Sequence, residues 1–214
     1  KNCGRTFMKT TKLSKYFLSL FAIVLCLAAA PAETISFNTH ETVPLSQGVF
    51  LVAKPHLSDT NFIHSVILLV SYGKEGAMGV VINKPAFIQL RQIIPEVKGM
   101  KEAAIPLYKG GPVNTGDLTI LFTSDIQQED AQQVFDDVYF TGRKEVILSL
   151  LHNKPLNTRI RVYAGYAGWA PGQLEHEIMR GDWITINAEV KKIFAEEPSG
   201  VWPSIFTIRE DMMI

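Results

Sequence analysis

The sequence predicts an α+β domain built on a mostly antiparallel sheet, and three observations carry that reading. Short apolar runs rich in β-branched and aromatic residues recur between Gly48 and Ile186, separated by Gly, Pro, Asn and Asp. Helical periods are few, short and scattered among these runs, without the strict strand–helix alternation of a parallel sheet. Several runs are joined by tight glycine turns, as hairpins are.

The N-terminal stretch is set apart. Lys9, Lys12 and Lys15 precede an apolar run, Tyr16 to Ala29, that ends in Ala30-Pro31-Ala32. A basic start, a short apolar middle and small residues at the end make a secretory signal peptide, with cleavage expected after Ala32. The apolar run is about 14 residues long, short of the roughly 20 that span a bilayer. Met8 opens this segment, so residues 1–7 read as an upstream extension. The expected organisation is 1–32 as extension and signal peptide and 33–214 as a single domain. A periplasmic or exported location follows, with no membrane span after cleavage.

Cleavage also changes composition. Cys3 and Cys26 both precede the cut, so the processed chain has no disulfide and no thiolate. The first 32 residues hold five of the 21 basic residues and none of the 21 acids, which leaves the remainder at −5 with His neutral. An acidic chain lacks the electrostatic footprint of a duplex-binding protein, so direct DNA binding is not expected.

Residues 33–47 form a lead-in without period. Gly48 to Ala53 is a first strand, stopped at Lys54-Pro55. Ser65 to Tyr72 (SVILLVSY) is a central strand buried on both faces. Gly73-Lys74-Glu75-Gly76 turns the chain, and Ala77 to Ile82 pairs back. Phe87 to Ile94 has helical spacing at Leu90, Ile93 and Ile94 and ends at Pro95. Pro106 to Lys109 is a short strand running into Gly110-Gly111-Pro112, and Leu118 to Phe122 is another. Gln127 to Gln133 is polar and weakly helical, and Val138 to Thr141 reads as an edge strand.

Arg143 to His152 is a helix with Val146, Ile147, Leu150 and Leu151 on one side. Arg159 to Ala164 is a strand, followed by a glycine corner at Gly165, Gly168 and Gly172. Pro171 starts a helix over Gln173 to Arg180, with Leu174 and Ile178 on one face. Gly181 stops it. Trp183 to Ile186 is a strand, Ala188 to Phe194 a short helix, and Val201 to Ile208 packs Trp202 and Phe206.

Motifs that carry chemistry are sparse. Gly110-Gly111-Pro112 and Gly165-x-x-Gly168 could cradle an anion, but neither has Walker or dinucleotide spacing, and tight turns explain them. Glu175 and Glu177 flank His176 at positions that face apart on a helix. His56, Asp59 and His64 match no metal motif. Ser65 lies in no G-x-S-x-G elbow. Trp169, Trp183 and Trp202 read as packing residues, with Trp169 the one placed to line a pocket. No catalytic set, metal site or cofactor is expected.

Taken together, several stretches closely resemble one family. They are Gly48-x-Phe50-Leu51-Val52-Ala53-x-Pro55, Asp59-x-x-Phe62, Gly76-Ala77-Met78-Gly79-Val80-Val81-Ile82-Asn83-Lys84-Pro85, Gly110-Gly111-Pro112-Val113 and Gly165-Tyr166-Ala167-Gly168-Trp169-Ala170-Pro171-Gly172-Gln173-Leu174-Glu175-x-Glu177-Ile178. The resemblance is to the YqgE/AlgH family, also called UPF0301 or DUF179, and it extends over nearly all of 33–214. It implies an α+β fold whose bifurcated, mostly antiparallel sheet closes into a pseudo-barrel with flanking helices. The family is bacterial and mostly uncharacterised; one branch is named as a transcriptional regulator of alginate production. Its members are usually leaderless and cytoplasmic, which is the alternative location for this chain.

The expected function is a non-enzymatic binding or regulatory module that takes a small ligand or a protein partner. The candidate pocket joins Asn83 and Lys84, the Gly110-Gly111-Pro112 turn, and a corner holding Trp169, Gln173 and Glu177, with Asp59 as a turn residue beside it. Here Trp169 is a wall, Gln173 a hydrogen-bonding group, and Lys84 or Glu177 the charge. The alternative is a hydrolase-like enzyme with Glu177 as base.

Overall fold

The computed structural model describes residues 42–97 and 105–206. The expected signal peptide and cleavage site, both cysteines and most of the lead-in lie outside the described residues.

Strand β1 (Val49–Ala53) is apolar throughout and buried throughout. The loop after Lys54-Pro55 leads to β2 (Val66–Gly73), whose first five residues are fully buried, as an uninterrupted β-branched run predicts. A turn at Lys74-Glu75 gives β3 (Gly76–Val81), paired from Gly73↔Gly76 to Ile67↔Val81 with a shift of register between Leu69 and Ser71. Gly76 has φ +115°, and a Cβ there would meet the backbone of Trp169, so glycine is required at this turn. Strand β4 (Pro85–Gln89) and two 3-10 turns, Leu90–Gln92 and Pro95–Val97, follow.

The chain continues through β5 (Pro106–Lys109), β6 (Val113–Thr123), β7 (Gln132–Phe135) and β8 (Val138–Thr141) to helix α1 (Lys144–His152). Then come β9 (Ile160–Trp169), α2 (Gln173–Arg180), β10 (Trp183–Asn187), α3 (Val190–Ile193) and α4 (Val201–Ile205).

Strand β9 organises the sheet. Its second half pairs antiparallel with β3, its first half pairs in parallel with β5, and β6 lies along its other side. The strand order is β10-β1-β2-β3-β9-β6-β8-β7, with β4 and β5 as a branch. All the pairings except β5 with β9 are antiparallel. The sheet thus divides at β9. Its end strands, β10 and β7, do not pair with each other, so it stays open and the expected closure into a pseudo-barrel is not made.

Three apolar clusters fill the two faces. Phe50, Leu68 and Tyr163 pack under Ile193 of α3 and Val201 of α4. Ile120 and Phe122 of β6 pack under Ile147 and Leu151 of α1, the two buried positions of that helix. Leu51, Ile67, Trp169 and Trp183 pack under Leu174, the buried residue of α2. Across the first cluster Arg161, itself buried, donates to the carbonyls of Ile82 and Ala195 and lies 4.4 Å over the Tyr108 ring. Its charge is thereby satisfied without a carboxylate, and it ties β3, β5 and the segment after α3 to β9.

Four local expectations are corrected. Phe87 to Ile94 forms no helix: Phe87 and Ile88 sit in β4, exposed, and only a single 3-10 turn holds Leu90. Leu90 makes the core contact that the helical spacing suggested, but the pairing of β4 with β5 takes Pro85–Gln89 as a strand. Gln127 to Gln133 is not helical; its end enters β7. Val138–Thr141 is not an edge, because β7 pairs outside it. The glycines after Ala164 do not end the strand: β9 runs on to Trp169, and Gly165 at φ +69° bends it within the sheet. The turn comes later, at Pro171-Gly172, where the N–H of Gln173 reaches the carbonyl of Ala170 at 3.0 Å.

Candidate functional site

The residues picked out by sequence fall into three groups. Trp169, Gln173 and Glu177 do converge. The Trp169 and Trp183 indole N–H groups both donate to Glu177 Oε2 at 2.9 Å, and Gln173 Nε2 donates to its Oε1 at 3.0 Å. The Gln173 side-chain Oε1 in turn accepts from the N–H of Ala170 at 3.1 Å, closing the turn before α2. Phe62 stacks on Trp169 at 6.3 Å and meets Trp183 edge-on at 5.6 Å. These bonds pin α2 to the ends of β9 and β10.

Asp59, Asn83 and Lys84 meet on the loop between β1 and β2. Asn83 is buried: its Oδ1 accepts from the N–H of Val66 and its Nδ2 donates to the carbonyl of His64, each at 2.8 Å. Lys84 Nζ donates to the carbonyl of Asn61 at 2.9 Å, and Asp59 accepts from the N–H of the same Asn61 at 2.9 Å. Burial and the charge of Lys109 hold the Lys84 ammonium below the usual lysine range, with Asp59 opposing.

Gly110, Gly111 and Pro112 lie against β9. The Gly110 N–H bonds the carbonyl of Ala164 at 2.9 Å, and its carbonyl receives the N–H of Val81 at 2.8 Å. A Cβ at Gly110 would overlap the carbonyl of Gly165, and one at Gly111 the backbone of Tyr166. The first two groups are linked through the 59–62 turn, by Asp59 and Asn61 on one side and Phe62 on the other.

A cleft of about 800 Å³ opens elsewhere, and none of the nine sequence candidates lines it. Its position follows from unequal strand lengths. Strand β6 has 11 residues, but β8 covers only Ile120–Thr123, so the preceding part of β6 has no neighbour on that side among the described residues. Helix α1 begins just past β8, and Pro95-Glu96 faces it; the cleft lies along the uncovered β6 edge between them.

Met78, Ile94, Leu118, Ile147 and Tyr166 give it an apolar lining. Lys144 and Glu96 bridge it with an ion pair of 2.8 Å, and that bond holds Glu96 below the usual carboxylate range and raises Lys144. Thr119 also lines the cleft. It is 6 % exposed, and its hydroxyl is buried with no hydrogen-bond partner among the described residues. A buried hydroxyl left without a partner costs about 1–3 kcal/mol; Thr119 lies opposite Tyr163 in the sheet, and its oxygen is closed off from the cleft.

Sequence reading missed Thr119, Glu96 and Lys144. Thr119 is one member of a β-branched strand, Glu96 and Lys144 lie 48 residues apart, and only the sheet's layout brings the three to one cleft.

Comparison with known proteins follows the same lines. The AlgH-like family profile, DUF179, matches residues 50–209. A UPF0301 protein of Methylococcus capsulatus is 36% identical over 160 residues, 73% of this chain and 87% of the relative. One from Bacteroides fragilis is 36% identical over 171 residues, 79% of this chain and 85% of the relative. The solution structure of the AlgH protein from Pseudomonas aeruginosa superposes with a TM-score of 0.63 at 28% identity, covering 76% of this chain and 89% of that one. A crystal structure from Corynebacterium diphtheriae gives 0.63 at 26% identity, covering 79% and 90%.

Proposed function

The chain belongs to the AlgH-like, UPF0301 family, and from that premise we propose that it is a non-enzymatic binding module whose ligand occupies the cleft along the uncovered edge of β6. One observation carries the reading: a cleft of about 800 Å³ lined largely by Met78, Ile94, Leu118, Ile147 and Tyr166, with the Glu96–Lys144 ion pair across it. An apolar pocket with a few placed polar groups is the usual make-up of a small-molecule site. A ligand with an apolar body and one polar group for Lys144 or Glu96 fits that make-up.

Glu177 is better suited to architecture than to proton transfer. Its Oε2 already accepts from both Trp169 and Trp183 and its Oε1 from Gln173, which takes three of the roughly four lone-pair positions of a carboxylate and leaves little of it for proton transfer. The Glu177–Trp169–Trp183 cluster therefore serves as the clamp that fixes α2.

We place this module in the envelope, on the strength of the leader-like segment ending at Ala32, and assign it a regulatory role there through its ligand or a protein partner. The net charge of −5 from residue 33 onward favours such partners over duplex DNA.

The test is a fluorescence titration with N-phenylnaphthylamine, an uncharged apolar probe. The expected result is saturable one-to-one binding, weakened about tenfold or more by Gly116→Trp. Gly116 borders the cleft, and nothing lies within 4 Å of where its Cβ would stand, so the indole can enter the cleft without disturbing the backbone. No saturable binding, or equal binding by the filled variant, would overturn the reading.

A further inference from the structure

The branch made by β4 and β5 exposes apolar side chains together, where the rest of the molecule exposes them singly. Of the seven large apolar side chains exposed among the described residues, three lie close in sequence here: Phe87, Ile88 and Ile93. Scattered exposed residues need no explanation, but a grouped set marks an interaction surface. The strand pairing accounts for Phe87. Pro85 lies opposite Tyr108 and Gln89 opposite Pro106, so Ala86, Phe87 and Ile88 of β4 stand against Leu107 alone of β5. The surplus is a bulge, which bends a strand and re-aims a side chain. Ala86 packs inward on the second apolar cluster, and Phe87 projects into solvent at 103% exposure.

Charge at this branch runs against the rest of the chain. The sequence has 21 acids, yet none falls between Glu75 and Glu96. Lys84 and Arg91 lie in that stretch, and Lys109 of β5 adjoins it, its N–H bonded to the Lys84 carbonyl at 2.9 Å. Asp59 offsets Lys84 from the neighbouring loop. Arg91 and Lys109 are exposed and form no ion pair among the described residues. Glu96, where the acid-free stretch ends, is tied to Lys144. A second copy of the chain fits this edge poorly. Antiparallel pairing of two β4 strands would bring the Lys84 end of one to the Arg91 end of the other, and the bulge interrupts the ladder.

We propose that the β4–β5 branch docks on an anionic lipid surface, with Phe87, Ile88 and Ile93 seated at the headgroup and acyl boundary and Arg91 and Lys109 beside the lipid phosphates. The apolar side chains supply depth and the cations supply attraction to negative headgroups; either alone binds weakly, and together they hold a protein on the surface without spanning it. Ile93 also lines the cleft, but Phe87, Ile88, Arg91 and Lys109 do not. The inference therefore stands whether or not the cleft takes a ligand.

The experiment is cosedimentation with vesicles of the chain from Glu33, which holds every described element. Binding to phosphatidylglycerol vesicles is expected to be about tenfold or more tighter than to phosphatidylcholine vesicles, and to fall about fivefold in Arg91→Gln. Phe87→Ser should weaken it about tenfold or more. Met179→Gln, at a residue 74% exposed on α2, should leave it unchanged. All three changes are at exposed side chains, so none disturbs the core. Equal binding to the two lipids overturns the proposal, as does an equal loss in Phe87→Ser and Met179→Gln. A dimer seen by light scattering without vesicles and abolished by Phe87→Ser also overturns it, because the patch would then be a self-association surface.

Discussion

Trp169 Nε1 donates to Glu177 Oε2 at 2.9 Å, joining the last residue of β9 to the second turn of α2. Trp183, at the start of β10, shares the same oxygen at the same distance. One carboxylate thus closes three consecutive elements, and Phe62 seals it against both rings. Both tryptophans are buried, so neither indole can turn to water if the acceptor is removed.

Glu177→Ala should therefore destabilise the fold by about 2–4 kcal/mol, through two orphaned buried donors. Urea unfolding measures this. A change below about 0.5 kcal/mol, the ordinary range for a surface position, would mean that the clamp contributes nothing.

Gly110→Ala should be worse tolerated than most core truncations. The new Cβ would overlap the Gly165 carbonyl, a backbone atom that cannot swing aside, where β5 and β9 run side by side. A loss of about 3 kcal/mol or more is expected, seen as a lower unfolding midpoint or a shift to insoluble protein. A variant within about 1 kcal/mol of the parent would show that the two strands can separate at no cost.

The Tyr72 hydroxyl donates to Glu175 Oε1 at 2.7 Å. That bond holds Glu175 below its ordinary 4.5 and pushes Tyr72 above its ordinary 10.0. For Glu175, whose folded value is lowered, the stabilisation is present above 4.5 and is lost as pH falls through the lowered value. For Tyr72, whose folded value is raised, it is present below 10.0 and is lost as pH rises through the raised value. The stability gap between the parent and Tyr72→Phe should be constant between about pH 5 and 9 and narrow at both ends. It should be smaller than for Glu177→Ala, because both groups are partly exposed. A gap that stays flat at both extremes would show that the hydrogen bond is not coupled to either titration.

Much of the fold can be read from residue order. The run Val66–Val70 cannot be satisfied except between other strands, and Gly73 to Gly76 fixes its partner and register. Ile147 and Leu151 declare α1 by their four-residue spacing and both are buried as that spacing requires. Periodicity fails where strand pairing overrides it: Leu90, Ile93 and Ile94 have helical spacing, yet the pairing of β4 with β5 holds Pro85–Gln89 extended. Glycine is also ambiguous. Gly165 looks like a corner, but it lies in a continuous strand because Gly111 packs its backbone against β9 there.

The candidate site was legible only in its architecture. Trp169, Gln173 and Glu177 meet because helix and strand ends adjoin in sequence. Thr119, Lys144 and Glu96 meet because β8 is shorter than β6, a mismatch that exists only once the sheet is assembled.

The central claim is that the cleft along the uncovered edge of β6 is a ligand site, and the most direct measurement is the N-phenylnaphthylamine titration of the parent beside Gly116→Trp. The account predicts saturable one-to-one binding by the parent, weakened about tenfold or more by the indole that fills the cleft. No saturable binding, or equal binding by the two proteins, would contradict it.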